Sequence, residues 1–142
     1  MAMKIEFDDN YFMSKAIDEA KIALSKGEVP VGAVIVADNK IIARAHNMVE
    51  ALNDVTAHAE ILAITSASNY IGGKYLENCS IYVTLEPCQM CAGALIQSRM
   101  GKVIYSARDY KRGGLGGTIG DGLAAGWDGL SSAMGSIPWG DI

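Results

Sequence analysis

The chain has 142 residues, one domain's worth at roughly 100–200 residues per domain, and a balance of 50% hydrophobic to 20% charged excludes a disordered chain. Its net charge of −4 has the wrong sign for a general nucleic-acid binder. The longest apolar run, Val29 to Ala37, falls far short of the ~20 residues of a membrane helix, and no apolar h-region follows Lys4. A cytoplasmic protein without membrane contact is therefore expected.

Asp8 or Asp9 caps a first predicted helix that runs to about Lys26 and stops at Gly27, with Phe12, Ala16, Ile17, Ala20, Ala23 and Leu24 as its apolar stripe. Val31–Ala37 and Ile41–Ala45 read as strands, joined by a tight turn at Asp38-Asn39. A polar loop from Asn47 to about Thr56 leads into a helix from His58 to Ser68, broken at Gly72-Gly73. Ser80–Leu85 is a third strand. Pro87, at the favoured first position, opens a helix to about Ser98, and Lys102–Ser106 closes the series as a fourth strand. The last three elements form a β-α-β crossover, so strands three and four should run parallel. The expected fold class is α/β: a three-layer α/β/α domain whose central mixed sheet begins with an antiparallel hairpin.

The last 30 residues differ in kind, with ten of the 16 glycines, three aspartates and no Lys or Arg. Residues 1–112 are read as the core and 113–142 as a Gly-rich apolar tail packed on the same domain. Leu123, Trp127, Leu130 and Met134 are spaced like one helical face, while Gly126 and Gly129 inside that segment weaken a helix. A docked helix and an irregular apolar arm both fit.

Three cysteines, Cys79, Cys88 and Cys91, are too few for a disulfide framework, and a Cys-x-x-Cys pair in a cytosolic chain points to metal or redox chemistry. Cys88 and Cys91 share a helical face in a first turn, where the macrodipole favours thiolates, and His58 occupies the same place on its own helix. Together they make a soft Cys₂His set suited to zinc, with the fourth tetrahedral position left to water. Glu60, two residues from His58, faces another way, as a general acid–base for that water would. A structural site would need Cys79 as fourth ligand. Yet the six residues of Ser80–Leu85 span roughly 20 Å between it and Cys88, which argues against sharing.

His-x-Glu with Pro-Cys-x-x-Cys, here His58, Glu60, Pro87, Cys88 and Cys91, is the known signature of zinc nucleobase deaminases. Within that superfamily the chain resembles the bacterial tRNA-specific adenosine deaminases, which convert wobble adenosine to inosine. The resemblance rests on Glu28–Val34, His46-Asn47, Asn53–Glu60, Val83–Ala94, Ser98-Arg99 and Ala107–Asp109, and spans about residues 5–112. It implies one zinc per subunit held by His58, Cys88 and Cys91, with Glu60 as the catalytic acid–base. It also implies that Asn47 hydrogen-bonds the flipped purine, Val31 packs on it and the Ala59 N–H contacts it. Asp109 would meet the ribose of the preceding nucleotide, where a 2′-hydroxyl marks RNA. The family further implies a homodimer that binds the tRNA anticodon stem-loop across both subunits. Members continue into a further strand and a C-terminal helix bearing basic and aromatic residues, a pattern that residues 113–142 do not match.

Independently, Arg99, Lys102, Arg108, Lys111 and Arg112 place five positive charges in 14 residues and are the candidate phosphate contacts. Two other readings stay open on the residues alone. One is a deaminase of a free base or nucleoside (guanine, adenosine or cytidine), which the acidic total would suit. The other is a catalytically silent zinc scaffold, suggested by the altered tail.

Overall fold

A computed structural model of the chain describes residues 5–109, 113–114 and 123–124. Helix α1 spans Asp9–Ser25, and the Asp8 carboxylate caps it by accepting the Tyr11 N–H at 2.9 Å. Strands β1 (Gly32–Ala37) and β2 (Lys40–His46) form the expected hairpin, with both turn residues, Asp38 and Asn39, at positive φ as a two-residue turn requires. A one-turn helix, α2 (Val49–Leu52), interrupts the loop expected after Asn47. Helix α3 spans Ala59–Ile71 and ends at Gly72 in the left-handed conformation. Strand β3 (Cys79–Leu85), helix α4 (Gln89–Gln97) and strand β4 (Lys102–Ala107) make the crossover, and β3 and β4 are parallel.

The sheet order is β2-β1-β3-β4-β5, where β5 is Leu123–Ala124, parallel to β4. Leu123, read from the sequence as part of an apolar helical face, therefore lies in a strand, because β4 offers an edge that can be paired. A further strand does follow β4, two residues long. Trp127, Leu130 and Met134 lie outside the described residues.

Alternation along the strands sorts the core into two layers, as a period of two demands. Ala33, Ile35, Ile81, Val83, Val103 and Tyr105 face α3 and α4, while Val34, Val36, Tyr82 and Ile104 face α1. Small residues set both spacings. Ala59, Ala63 and Ala67 of α3 are fully buried in the first layer, and Ala16 and Ala20 of α1 in the second. The α1 stripe differs from expectation by a small rotation. Met13 is fully buried, and Leu24 is 39% exposed while its neighbour Ala23 takes the buried place in the last turn. No helix among the described residues is long and apolar enough to cross a membrane.

The tightest contact is at Gly32, where a Cβ would run into the Ala16 carbonyl and the Ala20 amide. Backbone cannot give way as a side chain can, so Gly32→Ala should cost about 1–3 kcal/mol as overpacking. A urea midpoint unchanged from wild type would show that α1 is not seated there.

Candidate metal centre and its cavity

β3 and β4 end on the same side of the sheet, and α4 starts there, at the carboxyl edge where open α/β sheets carry ligands. The chain reaches the same edge a second time through the 47–58 segment. The Asn47 N–H donates to Val31 O at 3.0 Å, and the Met48 N–H donates to Ala57 O at 2.9 Å. These two bonds pinch the segment at its base and bring Asn47 beside the start of α3.

His58 is the N-cap of α3 and Cys88 the N-cap of α4, both in extended backbone, and neither side chain makes a capping hydrogen bond. Pro87 therefore precedes the cap and does not open the helix. That puts Cys88 at the cap and Cys91 at the third helical position. His58 Nδ1 lies 3.7 Å from Cys88 Sγ and 3.5 Å from Cys91 Sγ, with the three donor atoms all within 4.8 Å of one another. Tetrahedral zinc, with Zn–S near 2.3 Å and Zn–N near 2.0–2.1 Å, separates its nitrogen and sulfur ligands by about 3.6 Å. The donor set fits zinc in spacing and in softness. Cys79 is buried at the opposite end of β3 and is not part of the cluster.

The electrostatics agree with a cation site. The Cys91 thiol donates to Cys88 and brings the Cys88 pKa down to about 5, against the effect of burial. The same hydrogen bond, with burial, pushes Cys91 far up, so the pair shares one proton. Two sulfurs in contact, that of Cys91 buried and that of Cys88 half-buried, ionise together only beside positive charge, which a divalent cation supplies. Glu60 is 3% exposed, and burial lifts its carboxyl to about 7 against the pull of its own backbone N–H. A carboxyl poised there can both take and give a proton near neutrality.

Beside this cluster opens a cavity of about 280 Å³, whose wall includes Val31, Asn47, His58, Ala59, Glu60 and Asp109. All the residues that the resemblance assigned to substrate thus share one cavity. Asn47 is buried, its Nδ2 donating to Val29 O and its Oδ1 accepting from the Val49 N–H, both at 3.4 Å. Ala59 is the first residue of α3, where backbone N–H groups have no intrahelical partner. His46 is a strand-end residue, its Nδ1 3.0 Å from Glu19 Oε1 on α1.

The basic residues do not form one patch. Arg108 follows β4 at the cavity edge and lies 3.8 Å from Glu86. Lys102 begins β4, about 20 Å away over the six residue steps to Arg108. Arg99 is at that far end too, over the Tyr75 ring and 3.8 Å from Glu77. Lys111 and Arg112 lie outside the described residues.

Two buried acids in the cavity wall had no expected role. Glu28 accepts the N–H groups of Glu50 at 3.0 Å and Ala51 at 2.8 Å, and so caps α2 from outside the helix. Glu86 accepts the Asp109 N–H at 3.2 Å. Each stands at the edge of an apolar run, before Val29 and after Leu85, and an acid in that setting was the one available signal. Glu28→Ala should cost about 1–3 kcal/mol, because two amides lose their acceptor at once. Glu28→Gln should recover part of it, and equal denaturation midpoints for wild type and Glu28→Ala would refute the cap.

The family model described as the cytidine and deoxycytidylate deaminase zinc-binding region matches residues 7–107. The tRNA-specific adenosine deaminase of Aquifex aeolicus (strain VF5) is 59% identical over 105 residues, covering 74% of this chain and 70% of that protein. A solved structure from work on A-to-I editing by tRNA:A34 deaminases at the wobble position of transfer RNA superposes with a TM-score of 0.75. It is 41% identical, over 82% of this chain and 94% of the other. A guanine deaminase of Bacillus subtilis gives 0.69 at 39% identity, over 72% of this chain and 66% of that one. A zinc-ligand set at two helix caps, an adjacent buried glutamate and these matches together mean that the chain belongs to the cytidine and deoxycytidylate deaminase zinc-binding family and groups within it with the tRNA-specific adenosine deaminases.

Proposed function

We propose that the protein hydrolytically deaminates adenosine to inosine at the wobble position of tRNA, in the cytoplasm, with one zinc per subunit. The observation that carries this reading is Glu60, buried beside the His58–Cys88–Cys91 cluster and within the same cavity as Asn47. His58, Cys88 and Cys91 would hold the metal. Zinc, when bound, acts as a Lewis acid that brings the pKa of water toward about 7.

Glu60 takes a proton from the water as its oxygen bonds to C6 of the purine, then delivers protons to N1 and to the departing amine. The C6–O bond forms, the C6–N bond breaks, and water and adenosine become inosine and ammonia. Asn47 holds the flipped base by its amide, Val31 packs against the ring, and the free N–H of Ala59 donates to it. Asp109 meets the ribose of the preceding nucleotide. Arg108, with Lys111 and Arg112 after it, is placed in sequence to meet the phosphates there. Arg99 and Lys102 would reach RNA only some 20 Å farther along, as on a stem or across a second subunit. A homodimer with tRNA bound across both subunits would supply such a path.

A second reading, deamination of a free base, is favoured by the likeness to the guanine deaminase. Turnover by zinc-loaded protein on an adenosine-wobble anticodon stem-loop, with free adenosine, guanine and cytidine in parallel, separates the two. Inosine in the stem-loop is the expected outcome, and turnover on guanine alone would replace the substrate while leaving the chemistry. Glu60→Ala should keep its zinc and lose at least about 10³-fold in kcat, within the range of general acid–base catalysis. Cys88→Ala should lose the zinc and unfold at lower temperature, because metal binding is also folding free energy. Turnover retained by Glu60→Ala, or zinc retained at full stoichiometry by Cys88→Ala, would overturn those assignments.

A further inference from the structure

We infer that Glu86 is a positioning residue for substrate-strand recognition, its buried carboxylate acting as the post that fixes the backbone at Asp109 and meets Gly113, so that Asp109 faces the cavity. The carboxylate is 5% exposed and lines the cavity itself. Oε1 accepts the Asp109 N–H at 3.2 Å and lies 3.8 Å from Arg108 Nε. Oε2 occupies the space that a Cβ on Gly113 would need. The chain thus passes Glu86 twice, first at Arg108-Asp109 and again at Gly113, with the Gly113 N–H donating back to Asp109 O at 2.9 Å.

Backbone contacts tie the same two segments together on the metal-site side. The Glu86 N–H donates to Ala107 O at 2.7 Å, the Gly114 N–H donates to Pro87 O at 2.8 Å, and Gly113 bridges Cys88 in antiparallel fashion. Gly114 packs so closely that a Cβ there would sit 2.8 Å from the Cys88 backbone. One buried acid therefore couples the segment that ends in Cys88 to the segment that carries Asp109. Hydrogen bonds to a charged acceptor are stronger and shorter than neutral ones, so a carboxylate at this point defines the Asp109 backbone more tightly than a neutral acceptor would. Burial keeps water from substituting for it.

The kinetic consequence rests on the tRNA reading above, whereas the positional one does not. Glu86→Ala, Glu86→Gln, Gly113→Ala, Asp109→Ala and the Glu86→Ala/Asp109→Ala pair would be compared by zinc content, by hydrogen exchange at the Asp109 amide, and by KM and kcat on the adenosine-wobble stem-loop. Glu86→Ala should keep one zinc and raise Asp109 amide exchange and KM each by about tenfold, with kcat within about twofold. Glu86→Gln, which retains an amide oxygen, should recover most of both. In the Asp109→Ala background, Glu86→Ala should raise KM no further, since the two act as a unit.

Gly113→Ala approaches the same carboxylate from outside and should show the same exchange and KM changes, which keeps the test alive if Glu86→Ala does not fold. Unchanged exchange at Asp109 in the folded variants, multiplicative KM effects in the pair, or zinc loss in Glu86→Gln would each overturn the assignment. A wild-type protein silent on the stem-loop would defeat the tRNA reading, and the exchange measurement would still decide the role of Glu86.

Discussion

The N-termini of α3 and α4 converge on one point, and each end carries backbone N–H groups without intrahelical partners and the positive pole of its helix. Such ends repel unless negative charge lies between them. Cys88, Cys91 and Glu60 lie between them, so close together that all three can ionise only beside a cation. The site is thus built in three layers: helix poles outside, ionisable side chains within them, and a place for a metal at the centre. It also explains why neither N-cap is a Ser, Thr or Asp, since both cap side chains serve the centre and not their own helix.

Around this centre the protein treats its two walls alike. On one side Glu28 caps the turn that follows Asn47, and on the other Glu86 holds the amide of Asp109. Both are buried carboxylates bonded to backbone donors of a neighbouring segment, so each wall is fixed by a charged acceptor and not by packing alone. Loops that must hold a ligand in register gain from such fixing, because the groups they carry are positioned before the ligand arrives.

What the sequence made legible follows the range of each interaction. Cys88 and Cys91 are three residues apart, His58 and Glu60 two, and helix geometry alone sets what such neighbours can share. The turn at Asp38-Asn39 and the crossover from β3 to β4 were legible for the same reason. Asn47 became a candidate only by resemblance, since its contacts with Val29 and Val49 mark no ligand. Glu28 and Glu86 were missed because their partners are backbone amides 22 and 23 residues away, which no side-chain pattern announces. The α2 turn was missed because four residues are too few to show a period, whereas the split of the basic residues was already implicit in the strand expected over Lys102–Ser106, which sets Lys102 and Arg108 at opposite ends.

The alanine face of α3 has a consequence of its own. Ala59, Ala63 and Ala67 meet the sheet with methyl groups, so the buried face of the helix itself carries no rotatable side chain at those three positions. A contact built from longer residues absorbs small errors by changing rotamers, and one built from methyl groups cannot. α3 therefore works as a gauge block, holding His58 at a height above the sheet set by its methyl face and the strand side chains beneath it. Any enlargement of that face would push α3, and the imidazole with it, away from the sheet, so room for change at this centre lies in the loops that approach it and not in the helix that carries its histidine.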